Sequence, residues 1–267
     1  MVGEGKGEMV YPLKKCYLYG PIDSRRYGRS LGINLSPCAY KLCSFNCVYC
    51  HYGRTETVAA DHVPYEGDMP TMEEVLVAVE VTLRSPEELD VITFSGNGEP
   101  TKHPRFPEIV EGVVALRDRF RPKAKVVLLS NATGLVREEV RRSLSKIDLP
   151  VLKLDAGTPK TFLAINRPDS SVRFDDIVAA LSQVERFYVQ TVFIDGKPSN
   201  TTEEELSAYI QLLAKLRPQE AHIYSIERPV PDKGIARVSP ERLEEIAARI
   251  GAEAGVRAIA YYTGKGR

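Results

Sequence analysis

"CSFNCVYC", residues 43–50, sets three of the chain's five cysteines into eight residues with the spacing Cys-x3-Cys-x2-Cys. The run just before it, "LGINLSP" at residues 31–37, reads as a short strand, so the thiols fall on the loop at that strand's end. All five cysteines, at positions 16, 38, 43, 47 and 50, lie in the first fifth of the chain. An odd number of thiols crowded together suits ligation of a metal centre in a reducing compartment better than a disulfide framework.

Three thiolates at this spacing admit two chemistries. An iron-sulfur cube takes four thiolates, so three leave one iron open to a small molecule. A structural zinc ion would instead need a fourth donor, for which Cys38 or His51 stands near in sequence. Zinc ribbons and knuckles present separated ligand pairs, and no second Cys-x2-Cys lies downstream.

Beyond the cysteines, apolar runs alternate with amphipathic helical stretches. A capping box at Thr71 and Glu74 opens a helix whose apolar face is Met72, Val75, Leu76, Val79 and Leu83. Strands are expected at "DVITFSG" (90–96), "AKVVLLSN" (124–131), "LPVLKLDAG" (149–157), "RFYVQTVFIDG" (186–196) and "EAHIYSI" (220–226). Helices are expected between them near Pro104 and through "VREEVRRSLSKI" and "FDDIVAALSQV". Another starts at Thr202, and a last one has Ser239 as N-cap and Pro240 in its first turn. Six such units imply parallel strands with right-handed crossovers and helices on the outer face. They fall short of the eight of a closed barrel. The expected fold is therefore α/β, a partial (β/α)6 TIM-like barrel spanning residues 30–267, with residues 1–29 as an N-terminal extension. "RAIAYYT" (257–263) is either a last strand or a docked tail, and residues 51–70 form a long connection without an evident helix.

The 36 Lys and Arg balance the 36 Asp and Glu, which removes any global attraction to nucleic acid or anionic membrane. No apolar run approaches the ~20 residues of a membrane span, and "MVGEGKGEMV" lacks a signal-peptide core. A cytoplasmic protein with no membrane partner is expected.

Taken together, the cysteine loop and its position resemble the radical S-adenosyl-L-methionine (SAM) superfamily. Its signature is Cys-x3-Cys-x-aromatic-Cys after the first strand of a partial barrel, and Tyr49 supplies the aromatic residue here. "GPIDSRRYGRSLG" ahead of the loop is similar to the "GP-x-x-SRR-x-GRSLG" of a subgroup of stand-alone iron-sulfur oxidoreductases. The resemblance implies a [4Fe-4S] cluster on Cys43, Cys47 and Cys50, whose open iron chelates the amino and carboxylate groups of SAM. One electron then cleaves the sulfonium C–S bond to a 5′-deoxyadenosyl radical that abstracts hydrogen from a substrate. It also implies a donor such as flavodoxin or ferredoxin.

Further cofactor contacts follow from rim motifs. "SGNGEPT" (95–101) resembles the family's "GGEP" loop, which assigns Gly98 and Glu99 to the methionine amino group, although Asn97 replaces a glycine. Ser130 and Asn131, ending the third strand, either reach ribose hydroxyls or the methionine carboxylate or cap the next helix. Lys153 and Asp155 project to one face of the fourth strand. The family often carries "LDA" here, which places Asp155 near the cofactor, while an Asx turn is the ordinary alternative. Arginines in "INRP" (165–168) and "SIERPVP" (225–231) are candidate substrate contacts. His51 and His103 read as hydrogen-bonded loop residues.

The substrate stays open among small molecules, RNA and peptides. "SRRYGR" with Tyr27, and "RDRFRPKAK" (117–125), interleave cations with aromatics as a polyanion site requires. They keep alive a non-catalytic zinc- or RNA-binding protein and a tRNA-modifying radical enzyme. The chain has no Trp to build a stacking platform. Cys16 and Cys38 are too few for a second cube; the expectation is a reduced structural pair.

Overall fold

The computed structural model describes residues 12–55 and 67–264. Two edges frame its single sheet. Strand β1 (Leu18–Ser24) runs antiparallel to β2 (Gly28–Ile33), the expected first strand. From β2 the order is sequential and parallel through β3 (Val91–Phe94), β4 (Lys125–Ser130), β5 (Leu149–Lys153), β6 (Tyr188–Gly196) and β7 (Ala221–Ser225). Beyond β7, the "RAIAYYT" segment forms β9 (Ala258–Tyr261), parallel to β7. Strand β8 (Ile235–Arg237) caps the far end of β6 in antiparallel register. The α/β partial barrel is thus observed, with β1, β8 and β9 added to the six parallel strands.

Helices α1 (Met72–Leu83), α2 (Phe106–Phe120), α3 (Glu138–Ser143), α5 (Phe174–Leu181), α6 (Glu203–Leu216) and α7 (Pro240–Ala254) lie where the periodicity placed them. Thr71 and Glu74 form both bonds of the capping box, and Thr202 and Ser239 cap α6 and α7 by accepting from Glu205 N and Arg242 N. An additional helix, α4 (Pro159–Asn166), was not expected. Its "PKTFLAIN" spans barely two turns, too short for a periodic apolar stripe to stand out. The helices bury their apolar stripes on the sheet's outer face: Val75 and Val79 of α1, Ile109 and Val113 of α2, Leu206 and Ile210 of α6 and Ile246 and Ile250 of α7 join one core with Ile92, Phe94, Val126, Leu128 and Leu152.

The sheet curls until its two edges meet through side chains. Tyr27, in the turn between β1 and β2, hydrogen-bonds His222 Nδ1 on β7 (3.2 Å). The His222 ring packs against Tyr27, Tyr188 and Tyr261, and Arg25 from the same turn pairs with Glu227 beyond β7. Residues 18–29 of the expected extension are therefore part of the barrel wall. Residues 1–11, and 56–66 within the long connection, including His62, lie outside the described residues. No helix among the described residues is long and apolar enough to cross a membrane.

Candidate active site at the C-terminal rim

The cysteine loop is clamped from two sides. On one, Leu42 N donates to Asn97 O and Glu99 N donates to Leu42 O, each at 2.9 Å, docking the loop on the 95–101 turn after β3. Gly98 permits this approach: its φ is +148°, and a Cβ there would stand 1.7 Å from the Leu42 carbonyl oxygen. On the other side α4 ends with unpaired carbonyls, which accept from the loop: Asn46 N to Asn166 O (3.0 Å) and Val48 N to Ile165 O (2.9 Å). Lys41 Nζ closes the loop on itself through Gly53 O (2.9 Å).

This clamping brings Cys43, Cys47 and Cys50 onto the wall of one cavity of about 400 Å³, together with Tyr49, Gly98, Glu99, Ser130, Asn131 and Lys153. It opens at the C-terminal ends of the strands, where a (β/α) barrel collects its ligand loops. A larger crevice, about 880 Å³, lies at the opposite ends of β3, β4 and β5 among Asp90, Arg121, Lys123 and Lys125, and no thiol faces it.

The sulfurs are approached by N–H groups. Phe45 N points at Cys43 Sγ (3.5 Å), Asn131 Nδ2 at the same sulfur (3.6 Å) and Asn166 Nδ2 at Cys47 Sγ (3.4 Å). Burial pushes the Cys43 thiol up to about 12 and raises Cys47, with Lys41 and Lys153 respectively opposing. A lone thiolate is therefore disfavoured, whereas a cationic centre that takes the sulfurs deprotonated suits a donor set already surrounded by N–H dipoles. Among the described residues no three His, Cys, Asp or Glu side chains converge on a single-ion position. Cys38 is not on the cavity wall; its thiol lies 3.9 Å from Asn34 Nδ2. All five cysteines are free.

Glu99 is 3 % exposed and has four donors around its carboxylate: Thr101 N (3.1 Å), Thr101 Oγ1 (2.6 Å), Ser130 Oγ (2.7 Å) and Asn131 N (2.6 Å). These occupy its lone pairs, so Glu99 fixes the β3 and β4 loops against each other and offers the cavity its charge. Its carboxyl is raised by burial, against the pull of those bonds. Ser130 also accepts from Ala132 N (3.0 Å), and Asn131 Oδ1 accepts from Thr133 N (3.0 Å). Both residues thus serve the turn after β4 while Asn131 reaches toward Cys43.

Asp155 is placed behind Tyr49, away from the open cavity. Its carboxylate accepts the Tyr49 hydroxyl, Asn166 Nδ2 (2.6 Å) and Val192 N (2.9 Å), and Lys153 Nζ lies 3.8 Å away. It positions the aromatic residue of the signature. The Lys153 ammonium lies 5.1 Å from the Tyr49 ring centroid. Burial lowers the Lys153 amine but the neighbouring Asp155 and thiols outweigh it, so the ammonium is held charged.

Other expected contacts divide. Arg228 lines the cavity, whereas Arg167 pairs with Asp232 (2.8 Å). His103 is a loop residue, bonded through Nε2 to Pro70 O (2.8 Å) and accepting from Arg105 N (3.1 Å). Of the "RDRFRPKAK" cations Arg117 is buried and pairs with Asp118 and Asp148, both at 2.6 Å, while Arg119, lying over Phe120, Lys123 and Lys125 are exposed. Asn97, which replaces a family glycine, uses its amide to hold Lys14 O (2.9 Å) and Pro37 O (3.0 Å). Lys41, Asn166 and Arg26 went unassigned in the sequence, because their roles arise only when distant loops meet.

Known proteins bear on this geometry directly. A family model for the radical SAM superfamily matches residues 39–213. UPF0026 protein slr1464 of Synechocystis sp. is 35% identical over 219 residues, covering 80% of this chain and 77% of that protein. GTPase Obg of Brachyspira hyodysenteriae is 28% identical over 236 residues, but the match takes in 87% of this chain and only 33% of that longer protein. Streptococcus suis SuiB, solved bound to S-adenosylmethionine, superposes with a TM-score of 0.63 at 13% identity, covering 87% of this chain and 51% of SuiB, a likeness of fold. By its family match and its relative of similar length, the chain belongs to the radical SAM superfamily.

Proposed function

We propose that Cys43, Cys47 and Cys50 hold a [4Fe-4S] cluster and that the chain is a SAM-cleaving enzyme acting on a substrate in the same cavity. The observation that carries this reading is the convergence of three thiols, each in the signature spacing, on one cavity at the rim of a parallel barrel, with N–H donors aimed at two of the sulfurs. Cluster and SAM together would supply one-electron cleavage of the sulfonium C–S bond and hence a hydrogen-abstracting 5′-deoxyadenosyl radical.

The protein's own part is orientation and exclusion of water. Gly98 brings the 95–101 backbone against the cysteine loop, where its polar groups can meet the methionine end of SAM. Glu99 holds Ser130 and Asn131 in place and supplies negative charge toward an ammonium group. Tyr49, fixed by Asp155, walls the cavity beside Cys47 and Cys50, and apolar Phe45, Val192 and Val230 exclude water that would quench reactive species. A one-electron donor such as flavodoxin or ferredoxin is the partner this chemistry requires.

Purification under anaerobic conditions tests the reading. The protein should carry iron and sulfide and release 5′-deoxyadenosine and methionine when reduced with dithionite in the presence of SAM. The C43A/C47A/C50A variant should do neither. Stoichiometric zinc in place of iron would overturn the reading.

A further inference from the structure

The turn "SRRYG" between β1 and β2 sends Arg26 into the barrel, where it borders both the cavity of the three thiols and the crevice at the other end. Its guanidinium lies 5.1 Å from the Tyr27 ring centroid and 5.3 Å from that of Tyr224. One Nη donates to the side-chain carbonyl of Gln190 on β6. Gln190 is the register partner of Lys153 on β5 and of His222 on β7, so Arg26 is held at mid-barrel, under the rim.

The other cations around it have local partners. Arg25 pairs with Glu227, Lys153 lies 3.8 Å from Asp155, and Lys41 donates to Gly53 O beside the thiols. Arg26 differs: among the described residues it has two aromatic faces and a neutral amide, and no carboxylate pairs with it. A guanidinium has five donors and no acceptor, and it is always charged. Fixing one in a cavity without a counter-ion is costly unless an anion completes it. The aromatic sandwich and Gln190 hold the fork in one orientation, the arrangement that favours two-point recognition of a planar or tetrahedral oxyanion.

We propose that Arg26 is the floor anchor of the substrate subsite and that the substrate is a small molecule or group bearing a carboxylate or phosphate. This rests on the reading of the cavity as the place where substrate is transformed. Arg26 is a specificity-determining residue: it fixes the anionic end below the rim and leaves the rest of the substrate directed up toward the cysteine loop.

Equilibrium dialysis of the anaerobically purified full chain against radiolabelled inorganic phosphate and, separately, radiolabelled succinate, at low ionic strength, tests the anchor. One of the two should be retained saturably, and which one identifies the anionic group. Arg26→Gln should weaken that binding at least tenfold. Gln190→Glu should do the same while adding an ion pair that preserves the fold, because it supplies Arg26 with a carboxylate in place. Arg26→Lys, a cation without the fork, should lose several-fold. Retention of neither anion by the wild type, or affinities in R26Q and Q190E within twofold of wild type, would overturn the proposal. If the anion fails to bind while the wild type releases 5′-deoxyadenosine, only the anchor is wrong. If the protein holds no iron yet binds the anion through Arg26, the anchor stands and the radical chemistry is wrong.

Discussion

Gly98 and Leu42 meet so closely that the backbone of one occupies the space a side chain of the other loop would need: a Cβ at 98 would lie 1.7 Å from the Leu42 carbonyl oxygen. The contact joins the turn after β3 to the loop that presents Cys43. Gly98→Ala combines that clash with a φ of +148°, a region L residues avoid. Stability should fall by on the order of 3 kcal/mol. Iron retained after anaerobic reconstitution should fall with it, as read by urea unfolding and by iron analysis. Wild-type stability and iron content in this variant would show that the two loops need no such contact.

Much of this is legible in the sequence, and the reason is chemical. Parallel strands buried on both faces are runs of Val, Ile and Leu, as in "VVLL" of β4 and "VL" of β5, and the helix starts at Thr71, Thr202 and Ser239 carry hydroxyls that accept from first-turn N–H groups. The signature thiols are legible because ligand spacing within one loop is a local property. What escaped was relational. Strand β1, "LYGPIDS", breaks the alternation with Gly-Pro and forms because β2 offers it an edge. "SRRYGR" has the composition of a surface polyanion patch, and only closure of the barrel turns Tyr27 and Arg26 inward. Asp155 was recognised as a rim residue, but that Tyr49 and Asn166 would cover it depends on α4.

Asn166 links the cysteine loop to that covered carboxylate, donating toward Cys47 Sγ at 3.4 Å and Asp155 Oδ2 at 2.6 Å. In Asn166→Ala a buried carboxylate loses one donor, which costs about 1–3 kcal/mol. An N–H aimed at a cluster-ligating sulfur stabilises the added electron, so its loss should make the proposed cluster harder to reduce. Redox titration followed by electron paramagnetic resonance should find a more negative midpoint in N166A. An unchanged midpoint would mean that this amide acts on Asp155 alone.

His222 makes acid stability dependent on the barrel's closure. Burial lowers its imidazole from the ordinary 6.5 to about 4, with Arg26 and Arg257 acting in the same direction and Glu220 against. It is 3 % exposed and enclosed by Tyr27, Tyr188 and Tyr261. The neutral ring fits the observed bonds, Nδ1 accepting from Tyr27 and Nε2 donating to Glu220 Oε2 at 3.3 Å. Because the unfolded chain binds this proton at higher pH than the folded one, stability rises with pH through the window from about 4 to 6.5 and is lost as pH falls through it. The full effect is on the order of 3 kcal/mol. Urea unfolding of wild type and His222→Gln between pH 4 and 7.5 should show a shallower slope in the variant. Parallel pH profiles would remove His222 from the account.

Glu205 supports the cysteine loop from a distance. Projecting from α6, its carboxylate accepts from Gly157 N, from Thr158 N (3.2 Å) and from the hydroxyls of Thr158 and Thr161, both at 2.8 Å. These donors are the start of α4, so Glu205 satisfies orphan N–H groups and places negative charge at a helix N-terminus. The far end of the same helix holds Asn46 and Val48 of the cysteine loop and carries Asn166. Glu205→Ala leaves the half-buried donors of Gly157, Thr158 and Thr161 without their acceptor, and stability should drop by about 1–2 kcal/mol. The prediction specific to this arrangement is that hydrogen exchange will accelerate first in 157–166 and 46–48, ahead of α6 itself. Faster exchange confined to α6 would show that α4 holds its position without Glu205.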